Sequence, residues 1–256
     1  MNLPDTVIPL KAIPTCLSIG SLSLFPHQQR IATQLKNDLL ANGGYVEKQV
    51  VCTAPLYANM TQLNYAVSDY AAIVTLRQHG LTVATISSGA LLCCPERNQL
   101  ILQRRSANAA TYPHKLAAFG GHYCPDRQSL GHGMLLDTLI DELREECGYD
   151  LLQHGMNLPA DLPPLFFIVE PSTGSIQFTP LAFALTPEQA DQLHGSYEGE
   201  LETYHLVDDL DILLHPKQWS GMGYTSFLTW RSLGFPLQKN WLGRQIESHD
   251  DYPIVT

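Results

Sequence analysis

A chain of 256 residues, 45% apolar and 16% charged, holds enough material for one sizeable core with a smaller attached unit. Its formal net charge of -10 argues against a general affinity for nucleic acid or an anionic membrane, since both call for a basic surface. A small anionic substrate stays compatible, because a bound metal ion inverts the local charge.

The cysteines, Cys16, Cys52, Cys93, Cys94, Cys124 and Cys147, form no CxxC pair and no regular framework, and they read as reduced thiols of a cytoplasmic protein. No run approaches the roughly 20 apolar residues of a membrane helix. The first residues lack a basic region followed by an apolar one, so no secretory signal is expected.

In chain order, "HQQRIATQLKNDLLANGG" at 27–44 sets Ile31, Leu35, Leu39 and Leu40 near one face and stops at Gly43–Gly44, which predicts an amphipathic helix. A strand follows at 45–53. Residues 1–78 are expected to form a small α/β appendage with no chemistry of its own. Strands at 81–94 and 99–106, joined by the turn "PERN" at 95–98, make a hairpin. The stretch 107–123 is a loop ending in Gly120–Gly121, and 124–133 is a second, polar loop. "MLLDTLIDELREECGYD" at 134–150 is a helix with Leu135, Leu139, Ile140 and Leu143 as its apolar stripe and Gly148 as its stop. A Pro-rich connector at 157–164 leads to strands within 164–174, 175–185 and 202–214. A short helix at 186–193 is capped by Thr186, and a closing helix spans 221–235.

The helix at 134–150 carries Glu142, Glu145 and Glu146 at i, i+3 and i+4, which places three carboxylates on one side. The bland reading is an acidic solvated face, since glutamate is a good helix former. The chemical reading is a site for Mg²⁺ or Mn²⁺, hard cations that take carboxylate oxygens together with substrate phosphates. A zinc site from His122, Cys124, His132 and Cys147 ranks lower, because no two ligand pairs stand at regular short spacing. The chain also lacks a G-x-S-x-G elbow, a P-loop and a G-x-G-x-x-G turn.

The segment Glu142-Leu143-Arg144-Glu145-Glu146-Cys147-Gly148-Tyr149, with Gly120–Gly121 upstream, resembles the box of the Nudix hydrolases. That box runs glycine, five residues, glutamate, seven residues, then Arg-Glu-aliphatic-any-Glu-Glu-any-Gly-aliphatic. The approach "LILQRRSANAATYPHKLAAFGGHY" and the later "YEGELETYHLVDDLD" are also similar to the family, so the resemblance spans roughly residues 80 to 235. Two positions depart from it. Asp141 stands where the family has arginine, and the loop between Gly121 and the helix is about six residues longer, offering Asp126 in place of a glutamate.

The resemblance implies an α/β fold: a Nudix-type α/β/α sandwich with a mixed sheet in residues 79–256, beside the appendage of 1–78. It implies Mg²⁺-dependent (or Mn²⁺-dependent) hydrolysis of the diphosphate linkage in a nucleoside diphosphate joined to another group. Glu142, Glu145 and Glu146 would be metal ligands, and one of them would position or deprotonate the water. Glu200, ahead of "TYHLV", would be a fourth ligand, with Glu198 and Glu202 as alternatives. Arg104 or Arg105 would bind substrate phosphate; strand alternation lets only one face the site, leaving the other to a surface ion pair. Gly120 and Gly121 would bend the chain so that backbone N–H groups approach a phosphate. The partner implied is a small-molecule nucleotide, and a homodimer is allowed. The alternative is a Nudix-fold ligand-binding or regulatory module without turnover, which Asp141 favours. An isomerase acting on a diphosphate ester is a third reading, for which no dedicated cysteine motif is present.

Overall fold

The structure, a computed structural model, describes residues 6–42, 48–53, 56–58, 60–109, 112–126, 129–154, 162–170, 174–196 and 199–233. The stop at Gly43–Gly44, most of the connector at 157–164 and Glu198 lie outside the described residues.

The strands are β1 (Val7–Leu10), β2 (Thr15–Ser21), β3 (Lys48–Cys52), β4 (Gln62–Asp69), β5 (Ile86–Cys94), β6 (Gln99–Arg105), β7 (Leu116–Ala117), β8 (Phe119–His122), β9 (Leu165–Val169), β10 (Ile176–Thr179), β11 (Ala182–Ala184) and β12 (Gly199–His205). The helices are α1 (Pro26–Ala41), α2 (Tyr70–Gln78), α3 (Met134–Cys147), α4 (Pro187–Gln192), α5 (Leu210–Leu213) and α6 (Gly221–Ser232). The large sheet runs β1-β9-β10-β5-β6-β12, with β8 and β11 also on β5 and β7 on β6. It is mixed: β10 and β11 run parallel to β5, whereas β6 and β8 run antiparallel to it. Strands β2, β4 and β3 form a separate small sheet.

Every residue of β5 is buried, which fits its unbroken apolar and small-residue sequence and its place between two layers. On one face, Leu136, Leu139, Ile140 and Leu143 of α3 pack with Leu92, Ile101, Phe119 and Phe183. On the other, Phe227 and Trp230 of α6 pack with Leu91, Leu100, Leu102 and Ile168. Strand β6 therefore shows its odd residues to α3 and its even residues to α6, as the two-residue period of a strand requires. The result is an α/β fold with helices on both faces of a mixed sheet.

The N-terminal segment is more integrated than an appendage. Strand β1 pairs with β9 at the edge of the large sheet. The small sheet joins β5's entry through a bridge from Val51 to Thr85 and a hydrogen bond from the Cys52 N–H to the Ala84 carbonyl at 2.8 Å.

Three stretches differ from the sequence expectations. The loop at 107–123 contains β7 and β8, short strands with too few residues to show a period. The strand expected across 202–214 ends at His205, whose N–H donates to the Asp209 carboxylate at 2.7 Å and turns the chain into α5. Helix α2 was not expected, because "YAAIVTLRQ" is β-branched and apolar enough to read as either element. Thr186 does cap α4: its Oγ1 accepts from the Gln189 N–H while Gln189 Oε1 accepts from the Thr186 N–H.

Candidate active site

Helix α3 carries the acidic residues because its apolar stripe fixes its rotation on the sheet. Its N-terminal end is held by Asp137, buried, whose carboxylate accepts from Ser129 Oγ at 2.8 Å and from the Leu130 and His132 N–H groups at 2.9 Å each. Ser88 Oγ of β5 donates to the Leu135 carbonyl at 2.7 Å. At its C-terminal end Gly148 adopts φ +74°, a left-handed cap in which the Gly148 N–H reaches the Arg144 carbonyl and the Tyr149 N–H reaches the Leu143 carbonyl.

Two of the three glutamates turn inward. Glu142 is 6% exposed and Glu146 is 1% exposed, whereas Glu145 points to solvent. Spacing of i and i+4 aligns the inward pair over β8 and β6. The Glu146 carboxylate accepts from the Gly120 N–H at 2.5 Å and from Gln103 Nε2 at 3.3 Å. The Glu142 carboxylate lies against Gly121 so closely that a Cβ there would stand 2.3 Å from Glu142 Oε2. A Cβ on Gly120, at φ +147°, would meet the Ser88 carbonyl oxygen at 2.2 Å. Both glycines are thus required by close approach: one to a carboxylate, the other to the neighbouring strand.

The two arginines separate as alternation demands. Arg104 lies on the α6 face, where its Nε and Nη2 engage the Glu202 carboxylate at 2.5 and 2.8 Å and Nη2 also reaches Tyr204 Oη at 2.9 Å. Burial pushes the Glu202 carboxyl up, but the Arg104 and Tyr204 hydrogen bonds outweigh it and hold the group below its ordinary value. Arg105 shares the odd-numbered face with Gln103, the face that meets α3. Glu200, expected as a fourth ligand, is exposed and registers opposite Arg104. Register in an antiparallel pair puts opposed residues on one face, so Glu200 and Glu202 sit on the α6 side, away from Glu142 and Glu146.

Asp126 and Asp141 also find places that the sequence left open. Asp126 is exposed and pairs with Lys48 at 3.2 Å, so the loop-organising acid is Asp137 instead. Asp141, which stands where an arginine was expected, lies 3.8 Å from Arg144. Arg144 also binds Asp150, with Nε to Oδ2 at 2.8 Å, so one guanidinium offsets both acids.

Beyond Gly121, His122 meets a polar knot that no sequence pattern signalled. Its Nε2 lies 3.3 Å from Thr85 Oγ1, which lies 2.9 Å from Ser175 Oγ. Arg77 of α2 donates through Nη2 to Ser175 Oγ at 2.9 Å, Thr85 Oγ1 at 3.3 Å and the Val83 carbonyl at 2.7 Å. Burial, followed by the nearby charges of Arg77 and Arg105, lowers His122 to about 4, so its ring is neutral at pH 7. None of the six cysteines is in a disulfide, and burial pushes the Cys147 thiol up to about 12, as suits packing rather than ligation.

Among the described residues, no three His, Cys, Asp or Glu side chains gather closely enough to hold a metal ion by themselves. The donors that do converge fit a hard cation. The buried Glu142 and Glu146 carboxylates both meet β8, and Gln103, whose Nε2 contacts Glu146, carries in Oε1 a buried oxygen without a hydrogen-bond partner. Mg²⁺ is commonly held through one or two carboxylates, with water and substrate phosphate completing its shell.

No family model and no curated protein matches the chain. Among solved structures it is similar to a bifunctional NMN adenylyltransferase/ADP-ribose pyrophosphatase from Francisella tularensis complexed with AMP and a Mn ion. That likeness has 11% identity and a TM-score of 0.45, over 63% of this chain and 46% of that one. It is also similar to a MutT protein from Methanosarcina mazei Go1, at 21% identity and a TM-score of 0.39, over 59% of this chain and 95% of that one. A Nudix hydrolase from Nitrosomonas europaea follows at 13% identity and a TM-score of 0.34, over 59% of this chain and 73% of that one. The chain spans about half the length of the first of these. All three TM-scores lie below 0.5.

Proposed function

We propose that the chain is a Mg²⁺-dependent hydrolase of a diphosphate linkage, acting on a nucleoside diphosphate joined to a second group, with residues 79–256 carrying the chemistry. The observation that supports this most is the buried pair Glu142 and Glu146, pressed against Gly120–Gly121. Carboxylates one helical turn apart, turned to the same strand, are the donors that a hard divalent cation takes, with water and substrate phosphate completing its shell. A divalent cation bound there would offset charge on the diphosphate oxygens and lower the pKa of a bound water.

The chain's own residues set up that chemistry. The Gly120 N–H fixes one oxygen of Glu146, and Gln103 Nε2 steadies the other. Contact with Gly121 fixes Glu142. Glu145, exposed at the rim, can accept a proton from an attacking water. Arg105, on the sheet face shared with Gln103, would be the arginine that meets phosphate oxygens; Arg104 is engaged with Glu202. The Asp141 substitution, the feature that favours a binding module without turnover, is offset locally by Arg144.

The test is release of phosphate or nucleotide from a panel: ADP-ribose, dinucleoside polyphosphates, nucleoside triphosphates, NADH, nucleotide sugars and coenzyme A, with and without Mg²⁺. Turnover that requires Mg²⁺ and is lost in Glu146→Gln is expected. Ligand-dependent thermal stabilisation with no turnover on any member would transfer the chain to the binding class.

A further inference from the structure

We propose that Arg77, from helix α2 of the N-terminal segment, is a positioning residue for the carboxylate site; the inference rests on Glu142 and Glu146 being the metal-holding pair. Strand β8 holds both carboxylates in place through Gly120 and Gly121, yet among the described strands it pairs with β5 alone. On its other side the Gly120 N–H is spent on Glu146 rather than on a neighbouring strand. A four-residue strand hydrogen-bonded along one edge is weakly held. Its last residue, His122, is tied through Thr85 Oγ1 at 3.3 Å to a cluster in which Ser175 Oγ and Arg77 Nη2 lie 2.9 Å apart.

Arg77 is the hub of that cluster. One nitrogen serves the loop ahead of β5 (Val83), the entry to β5 (Thr85) and the entry to β10 (Ser175). Its Nε is buried without a hydrogen-bond partner, so the side chain is held there at a cost. The guanidinium ties the approach to β5 and the entry to β10 together at the end of β8. Gly121 already stands at the limit of contact with Glu142, so a shift of β8 by a fraction of an ångström moves the carboxylates. The N-terminal segment thus acts on the site through a chain of hydrogen bonds without touching substrate.

The experiment compares wild type, Arg77→Gln, Arg77→Lys, Thr85→Val and Glu146→Gln in the full chain. Each is measured for Mn²⁺ affinity by electron paramagnetic resonance and for kcat and KM on the best panel substrate. Arg77→Gln is expected to lower Mn²⁺ affinity and kcat by about tenfold, with KM changed less than threefold, and Arg77→Lys to recover part of the loss. Thr85→Val, which removes the relay hydroxyl at nearly constant volume, is expected to reproduce the loss and covers the case in which Arg77→Gln does not fold. If Glu146→Gln abolishes Mn²⁺ binding while the Arg77 and Thr85 variants keep wild-type affinity and kcat, the positioning role is overturned and the metal site stands. If Glu146→Gln leaves Mn²⁺ binding unchanged, the metal site is wrong and the positioning role falls with it.

Discussion

Substituting Gly121 with alanine separates folding from function at this site. The added Cβ would lie 2.3, 2.5 and 2.7 Å from Oε2, Cδ and Oε1 of Glu142. An ordinary contact begins at 3.4 Å, so the carboxylate must retreat by about 1 Å. What moves is the far end of a side chain, and Gly121 does not have the positive φ of Gly120, so alanine suits the backbone. The folding cost is expected to be small, about 1 kcal/mol or less. The functional cost is not, because a displacement of about 1 Å in a reacting geometry lowers rates by about 100-fold. The assay pairs urea unfolding with Mg²⁺-dependent turnover. Gly121→Ala should keep most of its stability and lose about 100-fold in kcat. Gly120→Ala should instead unfold readily, since it meets the Ser88 backbone oxygen at 2.2 Å from an unfavourable φ. The double variant Gly121→Ala/Glu142→Asp, which shortens the displaced acid, should lose less than the sum of the two single changes. Wild-type turnover in Gly121→Ala would refute the reasoning, because Glu142 would then have no role tied to its position.

Other consequences are open to direct measurement. Arg105→Ala should lower kcat/KM by about 10- to 100-fold, the worth of a hydrogen bond to a charged phosphate. Arg104→Ala should instead leave kcat/KM within about threefold and cost about 1 kcal/mol in urea unfolding, through loss of its pair with Glu202. Asp137→Asn removes the charge from three loop-closing hydrogen bonds and should destabilise the chain by about 1–2 kcal/mol, with faster amide exchange at Leu130 and His132. His122 is neutral in the folded chain down to about 4 but takes up a proton near 6.5 when unfolded, so between those values the unfolded state binds more protons. Its share of stability is complete above 6.5 and is lost as pH falls toward 4, with an upper limit of about 3 kcal/mol, reduced by solvent at this half-buried ring. His122→Gln should flatten the urea-unfolding profile in that window, and an unchanged profile would assign the slope to other groups.

The elements legible in the sequence are those with a strong period or a chemical stop. Helix α3 announces itself through Leu135, Leu139, Ile140 and Leu143 and through Gly148, and α4 through Thr186. The split between Arg104 and Arg105 follows from alternation alone, although which one faced the glutamates depended on the partner layers. The same alternation could have found Gln103, two residues before Arg105 and therefore on its face. Glu200 was misplaced because its distance along the chain from the box says nothing about which sheet face it occupies. That is set by its register opposite Arg104, a tertiary fact. Strand β8 was hidden because "FGGH" has almost no strand propensity; pairing with β5 and the carboxylates of α3 hold it extended. The link from Arg77 to His122 was invisible for a related reason. No local pattern ties a helix of the N-terminal segment to the strand carrying the double glycine until the large sheet assembles both.

The most direct test of the carboxylate site is an equilibrium Mn²⁺ titration followed by electron paramagnetic resonance on wild type, Glu142→Gln, Glu146→Gln and Glu145→Gln. Paired inward carboxylates predict a bound ion in wild type, lost in Glu142→Gln and Glu146→Gln and weakened less in the exposed Glu145→Gln. Equal Mn²⁺ binding by all four proteins, or none by wild type, would contradict it.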